Sequence, residues 1–261
     1  MRDLLHQDAV ERPRSENENA QGTSGRATRR GSPQVGRDQG APRSGGNPLP
    51  AVADISVTNV CNAACDFCGF SREKQLIGPR RYLDPIAFSQ SLPILRRRGL
   101  RYLTFQGGEP LVHPEIATLV GSATQAEMRC GLITNGWFLS RSIEPLAQSG
   151  LRRLLISIDS ADMARHEKHR GLPGLEARIR DGITRARRLK LPVIASVTVS
   201  RLVDYEALPN TLRGLGFDAV SFSYPRRAPL TSSSLVYDEH SKLMALMAFI
   251  VDMGRIRSLQ R

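Results

Sequence analysis

Six short segments rich in Val, Ile, Leu and other apolar residues recur after residue 50, and each is followed by a stretch with helical spacing of apolar positions. The strand candidates are Ala51–Thr58, Tyr102–Phe105, Gly131–Thr134, Leu154–Ile158, Val193–Val199 and Val220–Ser223. Short runs of this kind are typical of buried strands in parallel sheets. Repeated strand–helix alternation predicts a parallel sheet with right-handed crossovers.

The helical segments are recognised by apolar residues three and four positions apart and by their end signals. The first is predicted to begin after Asp84, an N-cap residue followed by Pro85 at the first helical position. Pro93 within this segment predicts a break or kink. The other helices are predicted from Pro114 onward, at Ser142–Gln148, at Leu175–Ala186, at Tyr205–Leu215 and at Glu239–Arg257.

These elements predict an α/β fold. Six strand–helix units are too few for a closed eight-stranded barrel, so the favoured architecture is a partial (β/α)6 TIM-like barrel. A doubly wound sheet is the alternative. Both arrangements place functional sites at the C-terminal ends of the strands.

The first fifty residues differ from the rest of the chain, because they are rich in Arg, Gly, Ser, Asn, Gln and Pro and have almost no large apolar side chains after Val10. Such a segment cannot bury enough apolar surface to offset the entropy lost on ordering. We therefore predict a disordered tail over residues 1–50, either a real tail or an over-long gene start, and a core domain over residues 51–261.

The net charge of +12 comes almost entirely from Arg, since Lys occurs only at positions 74, 168, 190 and 242. The arginines are spread along the chain, which is more typical of a composition bias than of a nucleic-acid interface. We therefore do not expect nucleic-acid binding. The chain has no apolar run long enough for a transmembrane helix and no secretory h-region, so the expected compartment is the cytoplasm.

Three of the four cysteines lie within eight residues, at Cys61, Cys65 and Cys68, directly after the first predicted strand. Thiolates at this C-x3-C-x2-C spacing can bind one iron–sulfur cluster. Three ligands leave one iron of a four-iron cluster open to a small molecule, as in catalytic metal sites. The alternative is structural zinc, which needs a fourth ligand such as Cys130 or His113. We expect Cys130 to be a buried, inert thiol at the opposite end of its strand, and His113 to be a loop residue.

The cysteine segment, with Phe67 before its last cysteine, resembles the CxxxCxxC signature of radical S-adenosylmethionine (SAM) enzymes. Further segments follow in the order typical of this family, each at the end of or after a predicted strand. They are Gly107-Gly108-Glu109-Pro110, Thr134-Asn135-Gly136, Ser157-Ile158-Asp159 and His166–Gly171. The resemblance covers roughly residues 52–225. This part of the chain is similar to the core domain of peptide-modifying, cofactor-building and hopanoid-modifying members.

The resemblance implies a [4Fe–4S] cluster on Cys61, Cys65 and Cys68, with SAM bound at the open iron. It also implies cofactor-binding roles for Phe67, Gly107, Gly108, Glu109, Asn135, Ser157, Asp159 and Arg170. Glu109 would accept the positive charge of the SAM amino group or order the loop that does. Asn135 is alternatively a simple turn residue, and Arg170 pairs with the SAM carboxylate or lies on the surface. For Ser196 and Thr198 we favour a structural role over SAM contact.

The implied activity is reductive cleavage of SAM to a 5′-deoxyadenosyl radical that acts on an unidentified small molecule, lipid or peptide. An electron donor such as flavodoxin or ferredoxin is implied. Tyr224, Arg226 and Arg227 are candidate substrate contacts. No cysteine follows Cys130, so the chain is either a minimal core enzyme or a fragment. The alternative function is a cluster-binding but non-catalytic or truncated relative.

Overall fold

The computed structural model describes residues 50–72 and 78–223. The predicted tail up to residue 49, the predicted helix Glu239–Arg257 and the candidate substrate contacts Tyr224, Arg226 and Arg227 lie outside the described residues. Within the described ranges, no helix is long and apolar enough to cross a membrane.

A six-stranded parallel sheet forms the centre of the fold, with its strands in sequence order from β1 to β6. The strands are β1 (Val52–Thr58), β2 (Tyr102–Gly107), β3 (Arg129–Thr134), β4 (Leu151–Ile158), β5 (Val193–Thr198) and β6 (Ala219–Ser223). All six predicted strands are present, with ends that differ by up to three residues. In the described residues, β1 pairs only with β2 and β6 only with β5 among these strands, so the partial-barrel prediction is confirmed.

Helices follow the strands in the predicted alternation. They are α1 (Gly69–Arg72), α2 (Pro85–Arg97), a 3₁₀ turn (Pro110–Val112), α3 (Ile116–Gln125), α4 (Leu139–Gln148), α5 (Met163–Arg170), α6 (Leu175–Arg188) and α7 (Leu208–Leu215). Asp84 caps α2 as predicted, because its carboxylate accepts hydrogen bonds from the backbone N–H groups of Ile86 and Ala87.

Helix α2 is not broken at Pro93, because it continues through this residue to Arg97. Phe88 and Leu92 of this helix are buried in the core, and their packing offsets the hydrogen bond that Pro93 cannot donate. The helix predicted from Pro114 begins instead at Ile116. Helix α5 was not predicted, since its sequence is strongly polar and has no apolar stripe.

The connecting helices lie on one face of the sheet, because neighbouring parallel strands joined in sequence by right-handed crossovers put every helix on the same side. Fully buried residues such as Ile156 and Val197 of the sheet join Ile143 and Ile179 of the helices in one core. Ser157 of β4 and its register partner Ser196 of β5 face the other way and are only partly buried. The three cysteines and the predicted cofactor-binding residues lie at or beyond the C-terminal ends of β1 to β4.

Candidate active site

The cysteine loop, defined here as residues 59–68, begins directly after β1. Cys65 is buried, whereas Cys61 and Cys68 are partly exposed. Burial raises the pKa of Cys61, and it raises the pKa of Cys65 to about 12. Without metal, Cys61 and Cys65 therefore favour the neutral thiol, so their deprotonation has to accompany metal binding.

One side of the cysteine loop packs directly against the end of β2. The Gly108 N–H donates to the carbonyl of Thr58 and the Glu109 N–H donates to the carbonyl of Val60, both at 2.8 Å. A Cβ at Gly107, whose φ is +130°, would lie 2.5 Å from the Thr58 carbonyl oxygen, and a Cβ at Gly108 would lie 2.1 Å from that of Val60. Glycine is required here for contact between two backbone segments.

Glu109 is a buried carboxylate that accepts hydrogen bonds only from the chain itself. Its Oε1 accepts from the Leu111 N–H at 3.0 Å and the Thr134 hydroxyl at 2.6 Å, and its Oε2 accepts from the Asn135 N–H at 2.7 Å. Burial raises its pKa, against the effect of these three donors. These contacts join the end of β2 to the 3₁₀ turn and to the end of β3.

Asn135 joins the end of β3 to the cysteine loop. Its Oδ1 accepts from the Trp137 N–H at 2.9 Å, which forms the predicted Asn-Gly turn, and its Nδ2 donates to Asn62 Oδ1 at 2.8 Å. Gly136, with φ of +87°, completes the turn. We call this side of the cysteine loop the β2–β3 flank, consisting of Gly107–Glu109 and Thr134–Gly136.

The other side of the loop is held by a charged group at the end of β4. Arg170 donates two hydrogen bonds to Asp159, from Nε to Oδ2 at 2.7 Å and from Nη2 to Oδ1 at 2.9 Å. Both side chains are buried. Burial opposes the charge on Asp159, but the Arg170 guanidinium holds the pKa of this carboxyl well below its usual range. Arg170 is therefore buried, and the alternative prediction of a surface position is wrong.

Two histidines of α5 complete this group. His166 Nδ1 accepts from the Asp159 N–H at 3.1 Å, and burial lowers the pKa of His166. The His169 ring lies against Phe67 with centroids 4.7 Å apart, and its Nδ1 is 3.7 Å from Asp66 Oδ2. His169 therefore contacts the cysteine loop directly.

The backbone end of α5 is also attached to the cysteine loop. The Ala64 N–H donates to the Arg170 carbonyl at 2.8 Å. Gly171, in the left-handed conformation with φ of +62°, ends the helix where a Cβ would lie 3.1 Å from Ala64 Cβ. We call this side the α5 flank, consisting of Asp159 and residues 166–171.

The family model of the radical SAM superfamily matches residues 55–213, more than half of the chain. The chain belongs to the radical SAM superfamily. Members of this superfamily are enzymes that use a [4Fe–4S] cluster and SAM, so the predictions of family, enzyme class and cofactors are confirmed.

Curated relatives of this radical SAM chain include a probable GTP 3′,8-cyclase of Thermococcus kodakarensis, 33% identical over 56% of this chain and 47% of the relative. An AdoMet-dependent heme synthase of Methanosarcina barkeri is 32% identical over 58% of this chain and 43% of the relative. The chain spans about half the length of the curated relatives it matches.

Solved structures support the fold. Streptococcus suis SuiB bound to S-adenosylmethionine superposes with a TM-score of 0.67 at 17% identity, covering 80% of this chain and 48% of that one. Escherichia coli HemN, coproporphyrinogen III oxidase, superposes with a TM-score of 0.52 at 15% identity, covering 83% of this chain and 54% of that one.

Structural zinc would need Cys130 or His113 as a fourth ligand beside the three cysteines, and the positions of these two residues in the radical SAM fold do not favour that role. Cys130 lies near the start of β3, buried at the end of the sheet opposite the cysteine loop. Both ring nitrogens of His113 are used by the chain, since Nδ1 accepts from the Glu115 N–H and Nε2 bonds to the Leu83 carbonyl.

Sequence reasoning missed three residues at this radical SAM site. Asn62 was seen only as a spacer between cysteines, and His166 and His169 only as part of a family-like segment. A signal for the histidines was present, because Asp162 and Gly171 are a helix N-cap and a helix C-cap. Between such ends, positions 166, 169 and 170 fall on one face of a helix.

The predicted SAM contacts Ser157 and Asp159 lie at the end of β4, where Ser157 pairs in register with Ser196.

Proposed function

We propose that this chain binds a [4Fe–4S] cluster through Cys61, Cys65 and Cys68 and catalyses reductive cleavage of SAM. The observation that carries the proposal is one loop at the end of β1 that presents three thiols and is attached on both sides to buried polar groups. The buried Nδ2 of Asn62 beside Cys61 has no partner in the described residues, as expected for a donor awaiting a bound group.

A reduced cluster held by Cys61, Cys65 and Cys68 would supply the electron for cleavage of SAM into methionine and a 5′-deoxyadenosyl radical. The chain's own contribution is positional. The two flanks hold the cysteine loop through hydrogen bonds to Val60, Asn62 and Ala64, which is the usual function of groups around metal ligands. Phe67, fixed on one side by His169, offers an apolar surface next to Cys68.

The first experiment uses the full chain reconstituted anaerobically with iron and sulfide, reduced with dithionite and supplied with SAM. We expect 5′-deoxyadenosine from the wild type and none from Cys65→Ala. Cys130→Ala is the matched control, because Cys130 lies at the opposite end of the sheet, and this variant should retain the wild-type yield. A protein that assembles the cluster yet forms no 5′-deoxyadenosine would favour the non-catalytic alternative, and a zinc-containing protein without iron would refute the proposal.

The substrate and electron donor are addressed with the same assay. Since several relatives are named GTP 3′,8-cyclase, GTP is the first compound to add. A substrate is expected to raise the rate of 5′-deoxyadenosine formation above the uncoupled rate. Replacing dithionite by reduced flavodoxin or ferredoxin tests the proposed protein donors. We further propose that the protein acts in the cytoplasm, where such donors are found.

A further inference from the structure

The side-chain amide of Asn62 has only one of its two ends hydrogen-bonded within residues 50–72 and 78–223. Its Oδ1 accepts from Asn135 Nδ2, whereas its Nδ2 is buried and has no acceptor among these residues. Buried polar groups without partners are rare, because removing an N–H from water without providing an acceptor is unfavourable. Asn62 follows Cys61 directly, which places this donor in the loop that carries the three thiols.

The orientation of the Asn62 amide follows from its neighbours. The Trp137 backbone N–H can only donate, so the atom of Asn135 that it contacts at 2.9 Å is the carbonyl oxygen Oδ1. Asn135 Nδ2 then donates to the other amide at 2.8 Å, which makes the contacted atom Asn62 Oδ1. Turning the Asn62 amide over would bring two NH2 groups together, so Asn62 has to present Nδ2 as a donor.

We propose that Asn62 Nδ2 donates a hydrogen bond to a sulfur atom of the cluster bound by the three cysteines. This inference rests on the cluster of the proposed function, and it goes further by assigning a residue that adjusts the cluster's reduction potential. Hydrogen bonds to cluster sulfurs stabilise the more negative, reduced form and make the potential less negative. Asn135 is a positioning residue, since it acts only through the orientation of Asn62.

The test is a redox titration of the reconstituted full chain followed by EPR, carried out without SAM. Asn62→Ala removes the donor and is expected to shift the midpoint potential to a more negative value. Asn62→Asp keeps an acceptor for Asn135 Nδ2 but has no donor, and its added charge makes the same shift larger. Asn135→Ala is expected to give a smaller shift in the same direction.

Asn59→Ala is the matched control. Asn59 lies in the same loop, but its amide bonds to the Pro79 carbonyl and the Arg81 N–H and is exposed. It should leave the potential unchanged. A wild-type potential in Asn62→Ala without SAM would overturn the proposal. So would a shift that appears only after SAM is added, because the acceptor would then be SAM.

A second measurement needs no variant. Pulsed EPR of the reduced wild-type protein, with the side-chain amide of asparagine labelled with 15N, is expected to detect a labelled nitrogen coupled to the cluster. Its absence would overturn the proposal even where the Asn62 variants fail to assemble a cluster. Both measurements omit SAM, so they are independent of whether SAM is cleaved. Failure of the wild type to assemble any cluster would instead refute the proposed function.

Discussion

The two flanks of the cysteine loop do similar work with different chemistry. The β2–β3 flank uses backbone contacts, two close-packed glycines and one buried carboxylate that accepts only neutral donors. The α5 flank uses a buried ion pair between Asp159 and Arg170, together with two histidines. The first depends on the absence of side chains and the second on the presence of opposite charges.

This difference determines how each flank responds to change. A backbone contact is sensitive to added volume, whereas a buried ion pair is sensitive to loss of either charge. Four predictions test the distinction, in order of decreasing expected effect.

The largest effect is expected from Asp159→Asn in the α5 flank. The variant leaves the Arg170 charge buried without its counter-ion, which should lower the free energy of unfolding by about 3–5 kcal/mol. Urea unfolding of the metal-free full chain measures this change. Asp181→Asn is the control, because Asp181 forms an exposed pair with Arg185 and its loss should have no measurable effect. Equal losses in the two variants would contradict the comparison.

Gly108→Ala tests the β2–β3 flank. The added Cβ would collide with the backbone of Val60, which cannot move without displacing the cysteine loop. We expect a loss of about 3 kcal/mol in unfolding free energy and a lower iron content after reconstitution. At Gly214, by contrast, an added Cβ has no atom within 4 Å, so Gly214→Ala in α7 should instead be stabilising by about 0.5–1 kcal/mol.

The pH dependence of stability should have opposite signs in the two flanks. The pKa of Asp159 is lowered in the folded protein, so its contribution is present above the unfolded pKa of about 3.9 and is lost as pH falls toward the folded value. The pKa of Glu109 is raised, so its contribution falls as pH rises above about 4.3.

Urea unfolding against pH separates these contributions. The destabilisation caused by Asp159→Asn should shrink below about pH 4, whereas that caused by Glu109→Gln should shrink as pH rises. Parallel pH profiles for the two variants would show that the two carboxyls do not differ as described.

The smallest effect is expected at the contact between the α5 flank and Phe67. An aromatic pair of this kind contributes about 1 kcal/mol beyond its buried area. A double-mutant cycle with Phe67→Ala and His169→Ala measures it by unfolding. A coupling energy indistinguishable from zero would mean that His169 does not hold the Phe67 ring.

The same difference explains what could be predicted from the sequence. The strands were visible as short segments rich in apolar and β-branched residues, most plainly at the buried β4 and β5. The β2–β3 flank was visible through its resemblance to motifs of the family, although Gly107 and Gly108, expected to approach a ligand, lie against the backbone of Thr58 and Val60. The α5 flank was largely hidden, since a polar helix gives no periodic signal and nothing local shows that Arg170 turns inward to Asp159. Asn62 was hidden for a related reason, as its partner Asn135 lies 73 positions away.

The order of the strands has a consequence for how the protein is made. Every contact described here that holds the cysteine loop comes from residues between β1 and Gly171, and each strand pairs with its neighbours in sequence. Chains emerge from the ribosome N-terminus first, at about 5–20 residues per second. The cysteine loop and both of its flanks can therefore be in place while β5, β6 and the residues after them are still being translated, and assembly of the site does not have to wait for release of the chain.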